Sequence, residues 1–142
     1  MDTTPIINRL RAQLAGAGFV AIAGAAELDA AIANTPNPPA AYVVPLAETA
    51  EAPDLAGVHH QRVLQEFAVV LVVSNLRDPA GAAAAAELQT RRLLVRSALL
   101  GWAPDAASAE VVGFVAGRML QFVDQRLWWT DEFRVMTDYW ST

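Results

Sequence analysis

The sequence predicts an α+β fold: one largely antiparallel β-sheet, helices packed mainly on one face, and a β-hairpin near the C-terminal end. Three observations predict it. Helical and strand periodicities follow one another as helix, strand, helix, strand, long strand, long helix and a final strand pair. The stretch Gln61 to Ser74, "QRVLQEFAVVLVVS", alternates cleanly, with Val63, Phe67, Val69, Leu71 and Val73 on one face. Two further strand patterns, Glu110 to Val123 and Arg126 to Asp138, are separated only by Asp124-Gln125, the spacing of a hairpin. At 142 residues the chain suits a single domain spanning residues 1–142.

The elements justify themselves in order. Thr4 can cap and Pro5 suits a first helical position, with Ile7, Leu10 and Leu14 as the apolar stripe and Gly16 and Gly18 as the stop. Phe19 to Ala23 reads as a short strand and Ala25 to Asn34 as a short helix. "TPNPPA" then breaks regular structure, and "AYVVPL" is a brief strand that Pro45 confines to an edge or ends. Leu46 to His60, acidic and interrupted by Pro53 and Gly57, reads as a long mobile loop that orders on contact with a partner. The central strand begins half-exposed at Arg62 and Glu66, then becomes apolar on both faces through Ala68, Val70 and Val72. "NLRDPAG" punctuates it.

The longest helix is expected over about Pro79 to Leu100, with Ala84, Leu88, Leu94, Val95, Ala98 and Leu99 on one arc. Arg91 falls inside that arc and is explained by snorkelling. Leu93 and Leu100 lie nearly opposite, so the outer face is expected to meet something. Gly101 and Pro104 end the helix, with Trp102 folded back on its last turn. In the last strand Leu127, Trp129, Phe133 and Val135 share the core face. Trp128 shares the other face with Thr130, Glu132 and Arg134, and either a partner or Tyr139-Trp140 is expected to cover it. Asp131, on the core side, calls for a turn end, a bulge or a paired arginine.

The composition excludes several function classes. The net charge is −5, and all 10 basic residues are arginine. An acidic chain without lysine is a poor match for phosphate neutralisation, so no sequence-specific nucleic-acid binding is expected. No apolar stretch reaches the ~20 residues of a membrane span. An acid at position 2 and no basic leading region argue against a secretory signal. With no cysteine there is no disulfide or thiolate chemistry. Ser74, Ser97, Ser108 and Ser141 lack nucleophile-elbow context, and His59-His60 has no metal-ligand spacing, reading instead as a solvated pair. "GFVAG" lacks the Lys-Ser/Thr of a phosphate loop; its glycines mark a bulge or a close backbone approach. Neither a catalytic centre, nor a cofactor, nor a metal is expected.

Taken together, "PIINRLRAQL", "GFVAIAGAAELDAAI", "PPAAYVVPL", "QRVLQEFAVVLVVSNLRDPAG", "ALLGWAPD" and "VVGFVAGRMLQFVDQRLWWTDEFRV" resemble, in that order, the tail terminator (tail-completion) family of long-tailed bacteriophages and prophages. The resemblance covers about residues 5–138 and carries no catalytic residue. It implies a tail-tube-like fold and a structural protein of the virion. It further implies a homo-hexameric ring at the head-proximal end of the tail, assembled in the host cytoplasm. The ring's partners are then the tail-tube protein and the head–neck connector protein. A ring needs two different surfaces per subunit. Surplus apolar groups make Leu93, Leu100 and Trp128, with Arg134, the candidate subunit contacts. In the acidic loop, Glu48, Glu51, Asp54, His59 and His60 are the candidate contacts to tube or connector. The alternatives are another tail or neck joining component, or a small ligand-binding regulatory domain whose acidic loop closes over a pocket.

Overall fold

The computed structural model describes residues 1–34, 37–54, 58–74, 82–105, 108 and 110–141. Its elements are α1 (Thr4–Gln13), β1 (Ala21–Ala23), α2 (Ala25–Ala33), β2 (Ala40–Ala50), β3 (His59–Ser74), α3 (Ala82–Leu99), β4 (Gly113–Val123) and β5 (Arg126–Ser141). They form the expected α+β architecture around one five-stranded sheet of order β1-β2-β3-β5-β4. β1 runs parallel to β2 through the α2 crossover, and every other pair is antiparallel. The expected "NLRDPAG" break and the helix start at Pro79 fall on residues 75–81, which lie outside the described residues, as do Thr35, Pro36 and residues 55–57.

Two cores follow from the alternation of β3. One face carries Phe67, Val69, Leu71 and Val73, over which α1 and α3 pack with Ile6, Leu10, Leu14, Leu88, Val95 and Leu99. Ile6 and Leu10 are the fully buried residues of α1, with Ile7 only partly buried; Thr3 rather than Thr4 is the N-cap, and Asp2 Oδ1 accepts the Thr4 amide at 2.9 Å. The other face carries Val70 and Val72, and here Ala40, Tyr42, Ala31 of α2 and Trp128 complete a smaller core. Helices thus lie mainly, but not only, on one face. Arg91 does not snorkel: its side chain is only 13 % accessible, and its guanidinium is held within the fold, lying over the Phe19 ring and donating to the Ala17 carbonyl and to Glu87 at 2.8 Å.

The expected loop from Leu46 to His60 is mostly strand. β2 runs on to Ala50, pairing Ala47–Ala50 with Glu66–Val63, and β3 begins at His59. Pro45 stays in register with Phe67, Leu46 is the extra residue of a bulge that follows it, and the strand continues from Ala47. Among the described residues of this stretch, only residues 51–54 and Val58 lie outside a strand. Length explains the rest of the shape. The 16 residues of β3 span about 53 Å at ~3.3 Å each, whereas the 18 of α3 span about 27 Å at ~1.5 Å each. The far halves of β3 and β5, with the end of β2, therefore extend beyond the helices as a three-stranded arm.

Candidate subunit interface

β4 is the sheet edge. It pairs with β5, whose other side is occupied by β3, so one whole edge of β4 is left without a strand among the described residues. Edge strands in soluble proteins are commonly short or guarded by charge or proline. β4 is 11 residues long, lacks proline and has one charge, Arg118. It exposes Phe114, Val115, Met119, Leu120, Phe122 and Val123, with Met119 58 % accessible. Register shifts leave Val115 and Leu120 as extra residues opposite β5. Of the rest, Phe114, Met119 and Phe122 pair with Phe133, Trp129 and Leu127, which places them on the α1/α3 face.

The flank of α3 continues this surface. Arg92 and Arg96 point to β5 and β4: Arg92 forms an ion pair with Asp131, and the Arg96 guanidinium lies 4.2 Å from the centre of the Phe114 ring. At about 100° per residue, Leu100 and Leu93 follow Arg96 around the same side of the helix, away from α1. Both are exposed, as the sequence led one to expect. Leu93 and Leu100 thus flank an apolar edge that sequence reasoning did not single out.

Beneath β4 lies a buried ionic cluster that ties α3 to β5. Asp131 is fully buried and accepts from Arg92 Nη2 at 2.9 Å, Arg92 Nε at 3.0 Å and Trp129 Nε1 at 2.9 Å. Of the three explanations for Asp131, the paired arginine is the correct one. Gly117 packs on the cluster: a Cβ there would meet Asp131 Oδ1 and come within 2.8 Å of Arg92 Nη2. This is the close approach expected of a glycine in "GFVAG".

Trp128 requires a correction. It is only 5 % accessible and packs in the second core with Ala31, Tyr42, Val70 and Val72, with Leu28 beside them. Helix α2 covers it, so it offers no surface to a neighbouring subunit. Nor do Tyr139 and Trp140 reach it, since 12 strand residues put Trp140 about 40 Å further along β5. Trp140, 65 % accessible, stacks on His60 with ring centres 4.1 Å apart. Arg134 is exposed on the second face, lining a shallow concavity of about 270 Å³ with Leu64, Val111 and Met136.

The acidic-loop candidates lie along the arm. Glu48 is in β2, bridged to the amino terminus at 2.7 Å and to Gln65 Nε2 at 3.2 Å, and these partners hold its carboxyl below the usual range. Glu51 is exposed just beyond β2. His59 and His60 begin β3 rather than lying in a loop, and they point apart. His59 meets Gln61 Oε1 at 3.0 Å. His60 Nε2 lies 2.8 Å from Asp138 and Nδ1 2.6 Å from Asp54. Both carboxylates are acceptors, so both contacts are hydrogen bonds only when the ring carries two protons. Asp138 first and Asp54 second raise its pKa above the usual 6.5. Among the described residues no cluster of His, Asp or Glu is placed to hold a metal, and no helix is long and apolar enough to cross a membrane.

A family model described as phage tail terminator protein matches residues 1–139. No curated protein matches the chain. Among solved structures, a chain from the virion of a native gene transfer agent (GTA) particle is similar in fold. The TM-score is 0.55 at 18 % identity, over 94 % of this chain and 92 % of that one.

Proposed function

This chain belongs to the phage tail terminator family, structural proteins of the virion tail, and on that premise we propose that it caps the head-proximal end of the tail tube. Six copies form a ring that stops tube polymerisation and presents a joint to the head–neck connector. The observation that carries the reading is the β4 edge. A long, mostly apolar edge strand beside Leu93 and Leu100, broken only by Arg118 and two bulges, is a liability in a free subunit and an asset in an assembly. The ring number and the order of partners come from the family resemblance. Leu93 and Leu100 serve the contact between subunits. Arg134 is assigned to that contact as well, and the arm, with Glu48, Asp54, His59 and His60, faces the tube or connector.

Polymerisation of the cognate tail-tube protein with and without this chain tests the role. The expected result, by electron microscopy, is tubes of limited length bearing a ring at one end. Tubes that lengthen equally in its presence and carry no ring overturn it.

A further inference from the structure

The sheet has a second open edge. β1 covers β2 only at Ala40–Tyr42, so from Val43 to Ala50 the outer side of β2 has no partner strand among the described residues. The two edges differ in charge. On the β4 side the ionic groups are Arg118, Arg96 and the half-buried Glu132, which lies 3.8 Å from Arg118, with Asp124 at the hairpin tip. The β2 side carries Glu48, bridged to the amino terminus, and Glu51, with Asp54 further along, and the exposed Leu46.

Self-pairing of β4 about its own centre is disfavoured on this arrangement. Arg118 is the central residue of Gly113–Val123, so an antiparallel two-fold pair centred on the strand sets Arg118 against its own copy. Like charges directly opposite destabilise a strand pair. A β4 edge facing a β2 edge instead brings arginine to glutamate and apolar side chains to Leu46.

From the two edges we infer that β4 of one copy seats against the β2 edge of the next. β4 runs antiparallel to β2 in the sheet, and a register that sets Arg118 beside Glu51 places Phe122 opposite Leu46, with Leu120 and Met119 between them. Pro45 and its register shift interrupt the donors on that side, so side chains rather than an unbroken backbone ladder carry the contact. Such a contact is heterologous, the kind that closes into a ring. The inference rests on the ring reading and names its contacting surfaces.

The absence of native cysteine makes cross-linking unambiguous. Phe122→Cys, Leu46→Cys and the double variant are oxidised both as free chain and in assembled tails. Both positions are exposed, so folding is little affected. The double variant is expected to give a ladder of disulfide-linked multimers, while each single variant stays unlinked. Dimers from Phe122→Cys alone, or no ladder from the double variant in either setting, overturn the inference. Charge reversal supplies a second reading: Arg118→Glu weakens assembly by about tenfold or more, and adding Glu51→Arg restores it. Failure of that rescue also overturns the pairing. Rings on tails without a ladder refute this contact alone, whereas a ladder without any effect on tube growth refutes the capping role alone.

Discussion

Replacing Arg92 by methionine isolates the carboxylate of Asp131 in the core. In the native protein that carboxylate is fully buried and receives two guanidinium hydrogen bonds, at 2.9 and 3.0 Å, and one from the Trp129 indole at 2.9 Å. Arg92→Met leaves only the indole. Removing one partner of a buried pair costs about 3–5 kcal/mol, because the remaining charge has neither water nor a counterion. Asp131→Asn costs less, about 1.5–3 kcal/mol for the lost charged hydrogen bonds, since Arg92 retains 15 % solvent access. The double variant leaves no unpaired charge, so it falls short of the sum of the singles by about 2–3 kcal/mol. Urea unfolding followed by circular dichroism reads each value. With a slope of about 2 kcal/mol per molar, Arg92→Met lowers the midpoint by roughly 2 M. A loss below ~1 kcal/mol for Arg92→Met, or strict additivity of the two changes, refutes the account of this cluster.

Trp128→Ala should destabilise the subunit by about 3–5 kcal/mol, with assembly falling only as far as folding does. Lost assembly in a subunit of near-native stability would contradict its place beneath α2. The hairpin tip holds Asp124 and Gln125 at φ 53° and 58°, both left-handed. Gln125→Gly should therefore raise stability by about 0.5–1 kcal/mol and the Tm by about 2–4 °C in a thermal melt, and a lowered Tm argues against that geometry. The His60 clasp has a pH sign. Its pKa is raised, so its stabilisation is complete below the usual 6.5 and is lost as pH rises through the folded value. The groups around it are Asp54, Asp138 and Arg62, with Glu110 bonded to Arg62. Amide exchange at residues 51–54, corrected for intrinsic rates, should quicken over that interval in the native chain but not in His60→Ala. Equal pH dependence in both chains counts against the clasp.

Much of the fold was legible because it is written in local periodicity. The alternation of β3 announced both of its faces, and the arc Ala84, Leu88, Val95 and Leu99 announced the buried side of α3. Features that depend on distant pairing were not. Ala47 to Ala50 have weak strand preference and look like loop; the ladder to Val63–Glu66 makes them strand. Trp128 looked exposed because its strand neighbours Thr130, Glu132 and Arg134 are polar. The signal for its cover was nevertheless present in Val70 and Val72, whose apolar face needed a helix, and alanine-rich α2 supplies it. Asp131 was visible as an anomaly, but Arg92 as its partner was fixed only by packing α3 on β5. The candidate interface was the least legible part. β4 reads as an ordinary strand, and only the order β3-β5-β4 makes it an open edge.

The central claim is that copies of this chain form a closed ring at one end of the tail. Cryo-electron microscopy of tails assembled with the chain, averaged on their ends, tests it most directly. The account predicts a single six-fold ring of this fold at the head-proximal end, with the β4 edge of each copy buried against its neighbour. Copies distributed along the tube, or a ring in which β4 faces solvent, would contradict it.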